Sequence, residues 1–191
     1  MASLGRAFVF SSPSGGGKTT VIRELLDRNP AFRRSVSATT RTPRADEIDG
    51  MDYRFLSETA FERLMGKGEL LEWAEVHGHY YGTPREPVES CIREGGTVLL
   101  ALDVQGAMAV QKRIRGAVLV FLLPPSIDLL RKRLLERGTE GPDAVAERIR
   151  NAEAELKCAD RYPYQVINDR LPDTVTELEY LIHYHQQQRA A

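Results

Sequence analysis

Arg6-Ala7-Phe8-Val9-Phe10-Ser11-Ser12-Pro13-Ser14-Gly15-Gly16-Gly17-Lys18-Thr19-Thr20-Val21-Ile22 is the stretch that decides the fold. Arg6 to Phe10 reads as a short apolar strand running straight into a Ser/Gly-rich turn. Val21, Ile22, Leu25 and Leu26 follow at helical spacing, and the stripe ends near Asn29-Pro30. Strand, glycine-rich turn and helix in this order open a βαβ unit built around a phosphate loop. Glycines let backbone N–H groups turn inward around phosphate oxygens, and the start of the helix adds its dipole. In such a loop Lys18 reaches the β- and γ-phosphates and the Thr19 hydroxyl ligates Mg2+. The full pattern has glycine five positions before Gly17, where this chain carries Ser12. A solvated lysine on a plain glycine turn would not need the flanking strand and helix.

Outward from that unit, Thr97–Leu102 and Ala117–Leu123 are continuous apolar runs, as parallel strands covered on both faces tend to be. Ala107, Val110 and Ile114 place a helix between them. Ile127, Leu130 and Leu134 predict another helix, and Val145, Ile149, Ala152 and Leu156 a third. Tyr164–Asn168 reads as a last short strand, and a helix from about Thr174 closes the chain. Residues 36–87 break this rhythm with a short helix (Thr59–Met65) and an alternating stretch (Glu69–Val76), so they read as an inserted lobe. Residues 137–143 are turn-rich and suit a mobile flap. The expectation is a single α/β domain over residues 1–191, with a parallel sheet flanked by helices as its core (1–35, 88–126 and 153–191). An inserted mixed α+β lobe (36–87) and a helical lid (127–152) complete it.

Composition narrows the function. The 26 basic and 27 acidic residues leave a formal charge of −1, which argues against a protein held on nucleic acid by bulk positive charge. Hydrophobic residues at 42% suffice for a core, and the longest wholly apolar run, Ala117–Leu123, is too short to span a bilayer. The N-terminus does not read as a signal peptide, and Cys91 and Cys158, 67 positions apart, have neither metal nor redox spacing. A cytoplasmic location is the expectation. No membrane or nucleic-acid partner is expected. A homo-oligomer is compatible with the chain, and no obligate protein partner is evident. Arginine outnumbers lysine 21 to 5, and arginine is the side chain best shaped to grip phosphate in a bidentate way.

Candidate chemistry falls into three groups. Asp103 directly follows the second apolar run, where a phosphate-loop protein needs an acid for its metal; it also reads as a helix N-cap. Arg33, Arg34, Arg41 and Arg44 lie within twelve residues that hold no acid, with Tyr53 and Tyr81 in the same lobe. Arg41, Arg44 and the two tyrosine hydroxyls suit a phosphate monoester, whereas Arg33 and Arg34 read as solvated surface. Guanine would need acceptors for its N1–H and amino group: Glu72 could supply a carboxylate, and Ser37 and Thr83 hydroxyls. A lone Glu on a strand is by itself a weak signal. Arg133, Arg137 and Arg148 suit a flap that stabilises the charge of a moving phosphoryl group, while Arg131 and Lys132 suit a solvated helix face. The His77/His79 and His183/His185 pairs lack the neighbours of a metal site.

Taken in order, these segments resemble guanylate kinases over nearly the whole chain. The resemblance is carried by Ser11 to Thr19, Ser37-Ala38-Thr39-Thr40-Arg41-Thr42-Pro43-Arg44 and Asp49-Gly50-Met51-Asp52-Tyr53. It continues through Glu72 to Gly78, Tyr80-Tyr81-Gly82-Thr83-Pro84, Asp103-Val104-Gln105-Gly106-Ala107, Arg137-Gly138-Thr139-Glu140 and Val166-Ile167-Asn168-Asp169. It implies ATP-dependent phosphorylation of GMP or dGMP with Mg2+, and makes the inserted lobe the monophosphate-binding part. By resemblance, Ser12, Pro13, Ser14, Gly15, Gly16, Gly17, Lys18, Thr19, Thr20, Arg137 and Asn168 would bind ATP. Ser37, Arg41, Arg44, Tyr53, Glu72, Tyr81, Thr83 and Asp103 would bind GMP. Lys18, Arg41, Arg133, Arg137 and Arg148 would be catalytic, and Thr19 would ligate Mg2+ with Asp103 through water. Three positions depart from the family pattern: Ser12 replaces a glycine, and Ala101 and Pro163 replace acids. Two other readings are a catalytically inert binding module and a monophosphate kinase for another base. The intact Lys18, Thr19 and lid arginines oppose the first, and Glu72 with Ser37 opposes the second.

Overall fold

The computed structural model describes residues 5–45, 47–76, 78–136 and 142–188. The chain opens with β1 (Arg6–Ser11), the phosphate loop and α1 (Lys18–Arg28), then returns through β2 (Phe32–Arg34). The inserted lobe follows as β3 (Ala38–Thr39), β4 (Arg54–Phe55), α2 (Glu58–Gly66), β5 (Leu70–Val76) and β6 (His79–Pro84). Next come α3 (Arg85–Arg93), β7 (Thr97–Ala101), α4 (Val104–Arg113) and β8 (Val118–Leu123). Then α5 (Ile127–Glu136), α6 (Pro142–Leu156), a single 3-10 turn at Ala159–Arg161, β9 (Tyr164–Ile167) and α7 (Leu171–Gln187) complete it.

β1 lies at the centre of a parallel five-stranded sheet ordered β2-β7-β1-β8-β9. Its continuous apolar sequence follows from burial on both faces. Ala7 and Val9 point with Val98, Leu100, Leu119 and Phe121 to the side covered by Val88 and Cys91 of α3 and Ala107 and Val110 of α4. Phe8 and Phe10 point with Leu99, Val120 and Leu122 to the other side, against Val21, Ile22 and Leu25 of α1 and Val175, Leu178 and Ile182 of α7.

The lobe carries its own small sheet, ordered β4-β3-β6-β5, with β6 antiparallel to both β3 and β5. Its core is Ala38, Phe61 and Leu70, and Phe61 stacks on Tyr80 at 5.5 Å. Ser57 starts α2 by accepting the Ala60 N–H at 3.2 Å, a conventional N-cap. Leu130 and Leu134 of α5 meet Ala152, Ile149 and Leu156 of α6 in a fourth cluster, and Arg131 joins Glu153 across the same pair at 2.6 Å.

Several short elements are invisible to periodicity, β2 and α3 among them. β2 contributes only one buried residue, Phe32, on the edge of the sheet, and its Arg33 reaches Glu94 at the surface. α3 buries just Val88 and Cys91 among four charged residues. α7 begins at Leu171, ahead of the expected Thr174, because Pro172 occupies its first turn, where a missing N–H costs nothing. The expected flap at 137–143 falls largely outside the described residues, as does His77.

Candidate active site

The C-terminal ends of β1, β7 and β9 converge, so everything placed just after those strands shares one end of the sheet, where open α/β sheets bind ligands. From β1 comes the phosphate loop. Gly17 caps α1 at φ 86°, in the left-handed region, with no side-chain cap and no acid in the first turn. The opening N–H groups of α1 are therefore left to a ligand. A Cβ on Gly17 would come within 2.5 Å of Asn168 Nδ2, so the position needs glycine for space as well as for φ. Ser12 and Pro13 are buried beneath the loop, and the Ser12 hydroxyl donates to the Pro13 carbonyl at 3.1 Å. The serine that replaces the first pattern glycine is thus accommodated inside the turn.

Lys18 Nζ donates to the Leu102 carbonyl at 3.0 Å, just beyond the end of β7. Withdrawal from water pulls its pKa below the ordinary lysine value, against the opposing pull of the Glu155 and Asp103 carboxylates. Glu155, near the end of α6, accepts the Ser14 N–H through Oε2 at 3.1 Å, and burial raises its own pKa. Gly15 packs against Leu130 and Leu134, so α5 and α6 both touch the loop.

Two cavities flank it. The first, about 360 Å3, is lined by Gly15, Gly17, Thr20, Arg133, Asn168, Asp169 and Leu171. Asn168, expected near adenine, lies on this wall and also donates to the Gly16 carbonyl at 2.8 Å. The second, about 230 Å3, is lined by Lys18, Ser37, Tyr53, Glu72, Tyr81 and Asp103, with Ala74, Val76, Gly82, Ala101 and Leu102. β5 and β6 place Glu72 beside Thr83, whose hydroxyl donates to Glu72 Oε1 at 2.5 Å. Burial raises the Glu72 pKa above the usual carboxylate value, the Thr83 bond opposes the shift, and Asp103 adds to it. Gly106 makes this convergence possible: a Cβ there would stand 3.0 Å from Glu72 Oε2 and 3.3 Å from Asp103 Oδ1.

In the same cavity the Tyr53 and Tyr81 rings meet edge to face at 6.0 Å. Arg41 lies over the Tyr53 ring at 5.5 Å, and its guanidinium donates to the Thr42 carbonyl and the Glu47 carboxylate, both at 2.7 Å. Burial raises the Tyr53 pKa, while Arg41 pulls it down. Arg44 is exposed, and its backbone N–H donates to Glu47 at 2.8 Å; neither Arg41 nor Arg44 is among the residues lining the cavity, which Arg41 adjoins through Tyr53. Arg34 donates to the Asp52 carbonyl at 3.3 Å.

Asp103 both caps α4, accepting the Gly106 N–H at 2.7 Å, and lines the second cavity. The cap uses Oδ1 alone, and Thr19 stands exposed in the first turn of α1. Mg2+ keeps several waters and takes only one or two protein oxygens beside substrate phosphates. One hydroxyl and one carboxylate oxygen fit that demand. Among the described residues no cluster of three or more His, Cys, Asp or Glu could hold a metal ion by itself. Arg148 lies partly buried on α6; Arg137 is outside the described residues.

Glu47 and Glu155 are the two site residues that pattern reading missed. Glu47 stands three positions beyond the acid-free arginine segment, so local charge pairing could have found it. Glu155 meets Ser14 across 141 positions and leaves no local signal.

The guanylate kinase family model matches residues 4–185. The chain is 48% identical over 179 residues to the guanylate kinase of Gloeobacter violaceus, covering 94% of this chain and 87% of that protein. It is 46% identical over 178 residues to that of Synechocystis sp., covering 93% of each. The crystal structure of guanylate kinase from Anaplasma phagocytophilum superposes with a TM-score of 0.80 at 33% identity, covering 96% of this chain and 87% of that one. The SH3-kinase fragment of tight junction protein 3 shares the fold alone, at 13% identity and a TM-score of 0.52, with 97% of this chain and 59% of that one covered. On sequence and fold alike, the chain belongs to the guanylate kinase family.

Proposed function

We propose that the chain phosphorylates GMP, and dGMP with it, by moving the γ-phosphoryl group of ATP directly between two nucleotides on either side of the phosphate loop. One observation carries the reading: a single cavity holds Glu72 and Ser37, with Thr83 bonded to Glu72, together with Tyr53 and Tyr81, and Lys18 stands on its wall. The first group matches the guanine edge, with a carboxylate for N1–H and the amino group. The second, with Arg41 and Arg44, matches the phosphate. Asn168 and Arg133 line the donor cavity, which suits ATP.

In the reaction a phosphate oxygen of GMP attacks the γ-phosphorus, the bond to the β,γ-bridging oxygen breaks, and ADP leaves. The transition state is loose and spreads negative charge over the moving group, so positioning and charge stabilisation do most of the catalysis. Lys18 supplies one cation from the loop; Arg41, Arg133, Arg137 and Arg148 supply others. Thr19 and Asp103 would hold the Mg2+ that accompanies ATP, which when bound neutralises charge on the β- and γ-phosphates. The packing of α5 and α6 on the loop supports a lid that excludes water as it closes. A cytoplasmic setting belongs to this reading, supported by the free thiols of Cys91 and Cys158.

The test is a coupled ADP-release assay with GMP, dGMP, AMP, CMP and UMP. Turnover confined to GMP and dGMP is expected. Equal turnover of AMP, or none with any acceptor, overturns the assignment.

A further inference from the structure

Glu47 lies between the Ser37–Arg44 and Asp49–Tyr53 segments, and its carboxylate takes two hydrogen bonds from the arginine segment. Oε1 takes the Arg41 guanidinium at 2.7 Å and Oε2 takes the Arg44 backbone N–H at 2.8 Å. Both partners of the ion pair are mostly out of water, with side chains 15% and 13% exposed. Such a pair is less screened than a fully exposed one, though it still lies near the surface. The pairing lowers the Glu47 pKa and raises that of Arg41, so both are charged at neutral pH.

Arg41 is thereby fixed from several directions. The Tyr53 and Phe55 rings lie against it at 5.5 and 5.8 Å, the Thr42 carbonyl takes one N–H, and Glu47 takes another. The Tyr81 hydroxyl is a third hydrogen-bond partner of the Arg41 side chain, so of the five N–H donors of a guanidinium two remain for an incoming oxyanion. Glu47 therefore need not leave when a phosphate arrives. A flexible arginine loses rotamer freedom on gripping an anion, and one already held in place loses less.

We propose that Glu47 is a positioning residue for the acceptor phosphate: it acts through Arg41, presenting the guanidinium beside the Tyr53–Tyr81 pair. The inference rests on the GMP reading above. It predicts an effect on ligands that carry the phosphate and none on the base.

Calorimetric titration with GMP and with guanosine tests this on the wild type, Glu47→Ala, Glu47→Gln, Arg41→Ala and the Glu47→Ala/Arg41→Ala double variant. Loss of a charge-assisted anchor should weaken GMP about tenfold in Glu47→Ala and less in Glu47→Gln, which keeps an acceptor oxygen. Guanosine affinity should hold in every variant. The double variant should be no worse than Arg41→Ala alone, because a residue that works only through its partner shows full coupling in the cycle. Additive losses would overturn the proposal, as would parallel loss of guanosine binding, which marks a general collapse of the loop. Tighter GMP binding in Glu47→Gln would overturn it too, making Glu47 a competitor of the phosphate. If Arg41→Ala itself left GMP affinity unchanged, the acceptor-site reading would fall, and Glu47 with it. Loss in Arg41→Ala without loss in Glu47→Ala would remove Glu47 alone.

Discussion

Burial holds the Glu72 carboxyl above its ordinary pKa of 4.5, and the Thr83 hydroxyl only partly offsets the shift. A carboxyl whose folded pKa is raised destabilises the fold wherever it is ionised, and the cost vanishes once pH falls below the unfolded value. Glu72→Gln removes that charge while leaving an oxygen for Thr83. At pH 7 the variant should therefore be more stable, by about 1 kcal/mol or roughly 2–4 °C in Tm. The gap should close as pH falls through the raised pKa towards 4.5. Its preference for GMP over AMP should drop about tenfold or more, the loss expected for a charged hydrogen bond. Unfolding curves across pH and a two-acceptor assay measure both sides; a less stable variant with undiminished discrimination would sink the argument. Lys18 stands out in the sequence because it ends a glycine loop between a strand and a helix, whereas Glu72 in its alternating strand is by itself a weak signal and gains its expected role only through the family resemblance. Glu155 was not legible: only tertiary proximity to Ser14 gives it a role.

At the scale of elements, β1, β7 and β8 could be read because a short continuous apolar run suits a strand packed between two layers of helices, β5 showed as an alternating stretch, and β9 as a last short strand. β2, β3, β4 and α3 could not be read. Each has two or fewer residues in the core, too few for a period to emerge. The β9–α7 corner was read as a strand end with a nucleotide contact, and it also braces the phosphate loop. Asn168 leaves β9, is buried, and donates to the Gly16 carbonyl at 2.8 Å. Truncation in Asn168→Ala would strand that carbonyl, costing about 1–3 kcal/mol of stability. The loop it supports lines the first cavity, the one proposed for ATP, so KM for ATP should rise several-fold while KM for GMP stays near the wild-type value. Denaturant midpoints and two-substrate kinetics check the pair of effects. A variant that raised the GMP constant instead would show that the corner braces the acceptor side.

The whole molecule is an arrangement of three packed bodies around one loop: the parallel core, the inserted lobe, and the α5–α6 pair. The core places the loop at its C-terminal edge, β5 and β6 bring Glu72 and Tyr81 to one side, and α5 brings Arg133 to the other. Gly17 lines the first cavity and Lys18 the second, so adjacent residues face the two cavities. Among the described residues, Arg133 is the cation lining the first cavity and Lys18 the one lining the second. Direct transfer across the loop requires both cavities to be filled at once. A compound joining adenosine and guanosine 5′ to 5′ through a polyphosphate bridge should then bind about a hundredfold or more tighter than either nucleotide. The gain should peak at one bridge length, since effective concentration is greatest where the linker matches the span. Lys18→Met should remain folded, abolish turnover, and weaken the bridged compound far more than GMP alone, because Lys18 is the cation that both phosphate chains share. Titration across a series of bridge lengths reads this directly. Affinity no better than that of the stronger single nucleotide, at every length, would mean that the two cavities are never engaged together.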